Sequence, residues 1–210
     1  MLLRADSLAA THAIAAALAS LARPGDFIVL AGDMGAGKTA FAQGFGRALG
    51  ITEAITSPTF TLVHSYPCPE RRLTLHHADI YRLDSTGDVE ELALHELAEF
   101  DGIVLVEWGD VAAAALGDHL EVRLRHDDDL DDDGLDDDGL DDLDLDEPEP
   151  APARPDDLSR TTRPDSDEPD AELDDDFGLD AARVIELHAA GSAWAGRWDR
   201  LQSDLAAYRW

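Results

Sequence analysis

Two uninterrupted apolar runs, Phe27-Ile28-Val29-Leu30-Ala31 and Ile103-Val104-Leu105-Val106, stand out against a chain of mixed polarity. Strands of that kind are buried on both faces, as helices covering a mostly parallel sheet produce. Around them the period lengthens. Leu8, Ala15, Leu18 and Ala22 give an apolar side to a helix over 8–22, which Ser7 can cap and Pro24-Gly25 stops. Phe41, Phe45, Ala48 and Leu49 predict a helix over 38–49 that ends at Gly50, and Val89, Leu92, Leu97 and Phe100 anchor another over 88–100. Alanines 112–115 suggest a short helix. Strand composition marks 60–66 and 73–77, the latter followed by Ala78-Asp79-Ile80-Tyr81-Arg82. Residues 120–125 and 183–188 alternate, and their similar pattern predicts a hairpin whose turn has been replaced by the sequence between them. A terminal helical segment carries Trp194, Trp198, Leu201 and Leu205, and core packing is its default role.

Between the first apolar strand and the second helix lies Gly32-Asp33-Met34-Gly35-Ala36-Gly37-Lys38-Thr39, a complete G-x-x-x-x-G-K-[ST] phosphate loop. Its glycines let successive N–H groups face phosphate oxygens, Lys38 reaches the outer phosphates, and Thr39 offers a hydroxyl to Mg²⁺. Lys38 is the one lysine in the chain. A Gly-rich turn without a ligand is the bland alternative, and eight matched positions between a strand and a helix argue against it. The expected ligands are ATP and Mg²⁺, with Asp33, Met34, Gly35, Ala36, Gly37, Lys38, Thr39 and Ala40 binding the nucleotide. A guanine-reading Asn-Lys-x-Asp element is absent, which favours ATP over GTP. The fold class that follows is α/β, a P-loop NTPase-like three-layer sandwich with a mostly parallel central sheet and a C-terminal β-hairpin.

A phosphate loop needs an acid near the metal and a group to position the attacking oxygen. Glu107 ends the most hydrophobic strand, and Asp79 follows the 73–77 strand; both are expected at the solvent-facing end of the sheet, where α/β ligand sites form. Lys38, Asp79 and Glu107 are the candidate catalytic residues, with Thr39 and Glu107 toward the metal. Thr56-Ser57-Pro58-Thr59-Phe60 is a plausible sensor through the hydroxyls of Ser57 and Thr59, although its composition also suits an ordinary turn opening a strand. His77, Tyr81 and Arg82 accompany Asp79. His76 and His77 point to opposite faces of a strand and cannot share a metal, and the other histidines lack ligand spacing, so no zinc site is expected.

Charge alters the domain picture more than the site. Of the formal −30, residues 127–180 contribute −23, with 26 Asp/Glu against three Arg. That tract has no Val, Ile, Trp or Tyr and cannot bury enough apolar surface to offset chain entropy, so it is expected to be disordered. Asp-Asp-Asp-Gly-Leu at 131–135 repeats at 136–140 as a low-complexity run. Its Asp spacing lacks the glutamate and flanking helices of an EF-hand loop. The organisation expected is a core over 1–126, the acidic insertion over 127–180, and a closing strand with a helical segment over 181–210. A single cysteine, Cys68, excludes an intramolecular disulfide. No signal peptide or membrane span is expected, which points to the cytoplasm.

Four blocks in order resemble the small bacterial P-loop ATPase family of tRNA threonylcarbamoyladenosine biosynthesis, the TsaE/YjeE family. They are the phosphate loop, Ser57-Pro58-Thr59-Phe60, His77-Ala78-Asp79-Ile80-Tyr81-Arg82, and Val106-Glu107-Trp108. Met34 and Ile80 stand where that family usually has leucine. The resemblance covers about residues 5–126, and 182–191 more weakly; the acidic tract departs from it. It implies an ATPase acting with the threonylcarbamoyl transferase that modifies adenosine 37 of tRNA and with that enzyme's non-catalytic paralogue. It also implies that Lys38 and Thr39 hold phosphate and Mg²⁺, that Glu107 supports Mg²⁺ binding, and that Asp79 and the Ser57–Phe60 loop are switch-like, as are His77, Tyr81 and Arg82. The arginines form no basic stripe, so direct tRNA binding by this chain alone is not expected. The alternatives are a small-molecule kinase and a nucleotide-gated protein-binding module with incidental hydrolysis.

Overall fold

The computed structural model describes residues 1–58, 62–81, 93–108, 116–127 and 181–210. Thr59, Phe60, Arg82, the first part of the 88–100 helix, alanines 112–115 and all of the acidic tract except Asp127 lie outside the described residues.

Strand β1 (Leu2–Ala5) precedes helix α1 (Leu8–Leu21), whose first turn is capped as the sequence implies: Ser7 Oγ accepts from the Ala10 N–H at 3.2 Å. Then come β2 (Phe27–Ala31), α2 (Lys38–Ala48), β3 (Val63–Cys68), β4 (Leu73–Asp79), α3 (Leu94–Glu99), β5 (Gly102–Glu107), β6 (His119–His126) and β7 (Arg183–Ala190). A 3₁₀ turn (Ala195–Arg197) leads into α4 (Trp198–Asp204).

The described strands form one seven-stranded sheet in the order β1-β7-β6-β2-β5-β4-β3. Its central members, β6, β2, β5 and β4, run parallel. The three outer pairings, β1–β7, β7–β6 and β4–β3, are antiparallel. The sheet is therefore mixed, and the expected parallel character holds for its centre alone. Consecutive strands that turn back account for β3–β4 and β6–β7, which need no crossover helix, while β1–β7 joins the two ends of the chain. The β6–β7 hairpin expected from alternation is present, in register from His119↔Ala190 to His126↔Arg183.

Period-2 alternation sends neighbouring residues of the central strands into two cores. Ile28, Leu30, Ile103 and Leu105 join Ile14, Leu18, Phe41, Phe45, Leu201 and Leu205 on one face. Phe27, Val29, Val104 and Val106 join Ala78, Ile80, Leu94 and Ala98 on the other. Both apolar runs are thus buried on two sides, as read from composition. The terminal segment packs inward through Trp194, which is 1% exposed, while Trp210 is 57% exposed. Arg197 fastens that segment: it donates to both carboxylate oxygens of Asp26, at 2.5 and 2.8 Å, and to the Leu21 and Ala193 carbonyls, in a buried cluster just ahead of β2.

Candidate functional site

The C-terminal ends of β2, β4 and β5 meet at one edge of the molecule, and register decides which side chains arrive together. Leu30 lies opposite Glu107, and Glu107 opposite Asp79, so the two acids end adjacent parallel strands. β2 then runs into the phosphate loop. Gly32 has φ +129, and a Cβ there would sit 2.2 Å from the Leu124 carbonyl oxygen, so the loop lies directly on the β6 backbone. Gly37, at φ +101, caps α2 without a side chain. The helix therefore begins with N–H groups that no side-chain cap satisfies, an arrangement suited to an anion.

Within the loop, Asp33, Met34 and Gly35 are exposed, whereas Ala36, Lys38 and Ala40 are buried. The Lys38 ammonium donates to the carbonyls of Gly32 at 2.7 Å and Asp33 at 2.8 Å. It also lies 3.5 Å from the centroid of the Trp108 ring. Trp108, immediately after Glu107, adopts φ +62, an uncommon left-handed conformation for a bulky residue, and its ring lies 4.8 Å from that of Tyr81. Trp108 stood in a matched block, but nothing in spacing alone foretold its position over the lysine.

Thr39 and Glu107, 68 residues apart, come together: the hydroxyl donates to the carboxylate at 3.1 and 3.3 Å. On the other side of that carboxylate, His77 Nε2 is 2.9 Å from Glu107 Oε1. A carboxylate only accepts, so Nε2 carries the proton in this contact. His77 is fully buried and its Nδ1 has no hydrogen-bond partner. It is held against Glu107 through Nε2. His76 points to the opposite face as expected, where Ser65 Oγ lies 2.9 Å from its Nδ1 and burial lowers its pKa.

Asp79 forms a second group beside the first. Its Oδ2 accepts from Ser57 Oγ at 2.8 Å, and its Oδ1 accepts from the Tyr81 N–H at 3.0 Å. The Ser57 segment and the strand-end acid are thereby joined, while the Tyr81 side chain is exposed. Asp79 and Glu107 end their strands, β4 and β5, and each is only 3% exposed. Thr39 and His77 stand against the Glu107 carboxylate, and Ser57 and the Tyr81 N–H against that of Asp79. No group of three or more His, Cys, Asp or Glu side chains able to hold a metal occurs among the described residues.

The family model described as "Threonylcarbamoyl adenosine biosynthesis protein TsaE" matches residues 5–133, a span that contains every side chain just described. The chain belongs to the TsaE family. Among its relatives, the tRNA threonylcarbamoyladenosine biosynthesis protein TsaE of Bacillus subtilis is 46% identical over 98 residues, covering 47% of this chain and 60% of the relative. The protein of the same name from Treponema pallidum is 42% identical over 99 residues, covering 47% and 71%. The matched stretch therefore spans less than two thirds of the Bacillus relative's own length. The crystal structure of Bacillus subtilus YdiB superposes with a TM-score of 0.58 at 25% identity, covering 99% of this TsaE-family chain and 94% of that one.

Proposed function

We propose that this TsaE-family protein is a Mg²⁺-dependent ATP hydrolase that supports threonylcarbamoylation of adenosine 37 in tRNA. Its partners are the transferase that delivers the threonylcarbamoyl group and that enzyme's non-catalytic paralogue. The observation carrying the reading is the Thr39–Glu107 contact, which links the phosphate loop to an acid on the neighbouring parallel strand. Two hard oxygen donors converging there suit Mg²⁺, which commonly takes one or two protein ligands and completes its shell with phosphate and water. When bound, that ion neutralises charge on the outer phosphates.

In this reading Asp33 to Ala40 cradle the phosphates. Lys38 exchanges its two loop carbonyls for phosphate oxygens, a small movement because its ammonium is already in the loop. Thr39 and Glu107 hold the metal, and His77 keeps the Glu107 carboxylate oriented. Asp79, tied to Ser57 and to the Tyr81 backbone, senses the outer phosphate, with Thr59 and Arg82 completing the switch elements. Helices contributing to apolar clusters on both faces of the sheet support assignment as a P-loop three-layer sandwich. A protein working on tRNA modification belongs in the cytoplasm, and no described helix is long and apolar enough to cross a membrane.

The test is phosphate release from ATP with and without Mg²⁺, by the chain alone and mixed with the purified transferase and its paralogue. Slow turnover alone, acceleration in the mixture and loss of turnover with most ATP affinity in Lys38→Ala are expected. Unchanged hydrolysis by Lys38→Ala would defeat the ATPase assignment, and a mixture no faster than the chain alone would defeat the partnership.

A further inference from the structure

The phosphate loop rests on the β6–β7 hairpin, whose second strand lies beyond the matched residues 5–133. The turn end of that hairpin lies against the loop, through Leu124 and Arg183. Gly32 sits on the Leu124 carbonyl, and a Cβ at Gly37 would meet Arg183 Nε at 3.6 Å and Leu124 Cδ2 at 3.8 Å. Arg183 opens β7 opposite His126 and is 4% exposed. Its Nε donates to the Ala36 carbonyl at 3.0 Å, across 147 residues of sequence. The same guanidinium donates through Nη1 to the carbonyls of Ala181 at 2.8 Å and Ala182 at 3.3 Å.

We infer that Arg183 is a positioning residue for nucleotide binding: it fixes the Ala36–Gly37 peptide of the phosphate loop so that the loop's N–H groups are preset for phosphate. The reasoning is geometric. In a trans peptide the C=O of one residue and the N–H of the next point in opposite directions. Holding the Ala36 carbonyl against Arg183 therefore directs the Gly37 N–H away from the hairpin. A bond to a charged donor is stronger than one between neutral groups, and burial keeps water from competing for it. The guanidinium also places a fixed positive charge behind a loop that must attract an anion, where the surroundings screen it less than bulk water would. The fork shape matters too. One arginine reaches the Ala36 carbonyl and the Ala181 and Ala182 carbonyls together, which the single ammonium of a lysine does less well.

This inference rests on the nucleotide-binding reading above, and equilibrium binding of Mg²⁺–ATP separates the two. Wild type, Lys38→Ala, Arg183→Lys and Arg183→Gln would be titrated below the melting temperature of each, with steady-state hydrolysis measured alongside. Arg183→Gln is expected to weaken ATP binding by about tenfold, the scale of one lost charge-assisted hydrogen bond. Arg183→Lys should fall between it and wild type, since it keeps the charge and loses the fork. Because Arg183 supports the loop from behind, KM should rise in both variants while kcat stays within about threefold, whereas loss of a group acting only in the transition state would lower kcat. Wild-type affinity in both folded variants, alongside loss in Lys38→Ala, would overturn the positioning role and leave the nucleotide site standing. So would a fall in kcat at unchanged KM. Should Arg183→Gln fail to fold, Arg183→Lys decides alone: wild-type affinity overturns the role, and weaker binding that keeps kcat supports it. No ATP binding by wild type would overturn the functional reading and this inference with it.

Discussion

Glu107→Gln tests the site with the smallest change in shape. In the native structure the Glu107 carboxylate accepts from Thr39 at 3.1 Å and from His77 Nε2 at 2.9 Å while 3% exposed. Glutamine fills the same volume, so no cavity opens, but one of its two terminal atoms donates. If the amide oxygen keeps His77, the amide nitrogen must face Thr39, whose hydroxyl can accept instead. Both contacts survive as neutral hydrogen bonds. The cost in folding is then the difference between charge-assisted and neutral bonds, roughly 1 kcal/mol each and about 2 kcal/mol in all. Turnover should suffer more. Removing the carboxylate removes its charge from the proposed metal position, and a single electrostatic contributor of that kind is worth about 10²–10³ in rate, or about 2.7–4 kcal/mol. Urea unfolding would give the first quantity and phosphate release at saturating ATP the second. The expected result is a folded variant with a modestly lower midpoint and turnover down by about two to three orders of magnitude. A variant that unfolds cooperatively as wild type does and hydrolyses ATP within about threefold of it would refute the argument, because a carboxylate with that placement cannot then serve the metal.

Two further outcomes follow from the fold. Replacing 128–180 with a short turn should preserve the fold and ATP hydrolysis, because β6 and β7 already pair through His126↔Arg183; circular dichroism and phosphate release would check this, and loss of hydrolysis in a folded variant would make the tract part of the working machine. Arg197→Met should lower stability by about 3–5 kcal/mol, since it leaves the buried Asp26 carboxylate without its bidentate partner, and denaturant unfolding measures it.

The sequence made the centre of the fold legible because local pattern and tertiary position agreed there. Five apolar residues at 27–31, bounded by Pro24-Gly25 and the glycines of the phosphate loop, read as a strand covered on both sides, and the helix after Lys38 had both its period and its stop at Gly50. β1 was not legible: Leu-Leu-Arg-Ala offers two inward side chains, Leu3 and Ala5, and pairing with β7 rather than propensity makes it a strand. Mixed polarity of the sheet was equally hidden, since the direction of a neighbour is a property of connections. At the site, residue types were readable but surroundings were not. Glu107 looked like a strand-tip acid, and only register reveals that Thr39 and His77 enclose it. Arg183 carried no signal, because its partner Ala36 contributes a backbone carbonyl, which any residue would supply.

The position of the long insertion sharpens what the hairpin does for the site. It enters between residues that flank the phosphate loop: His126, whose Nε2 lies 4.0 Å from where a Gly35 Cβ would be, and Arg183, which holds Ala36. Lengthening a turn from about four residues to about fifty costs roughly 2 kcal/mol of closure entropy even if the added chain is unconstrained. That is small beside the eight paired positions of β6 and β7 and the buried Val122, Leu124, Ile185 and Leu187 that the hairpin contributes to the core. Hairpin pairing is therefore accounted for by the strands themselves, with Arg183 at their turn end. If Arg183 presets the loop as inferred, the phosphate-binding shape depends on the strands and on that arginine, and the residues between His126 and Arg183 need only let the two strands pair.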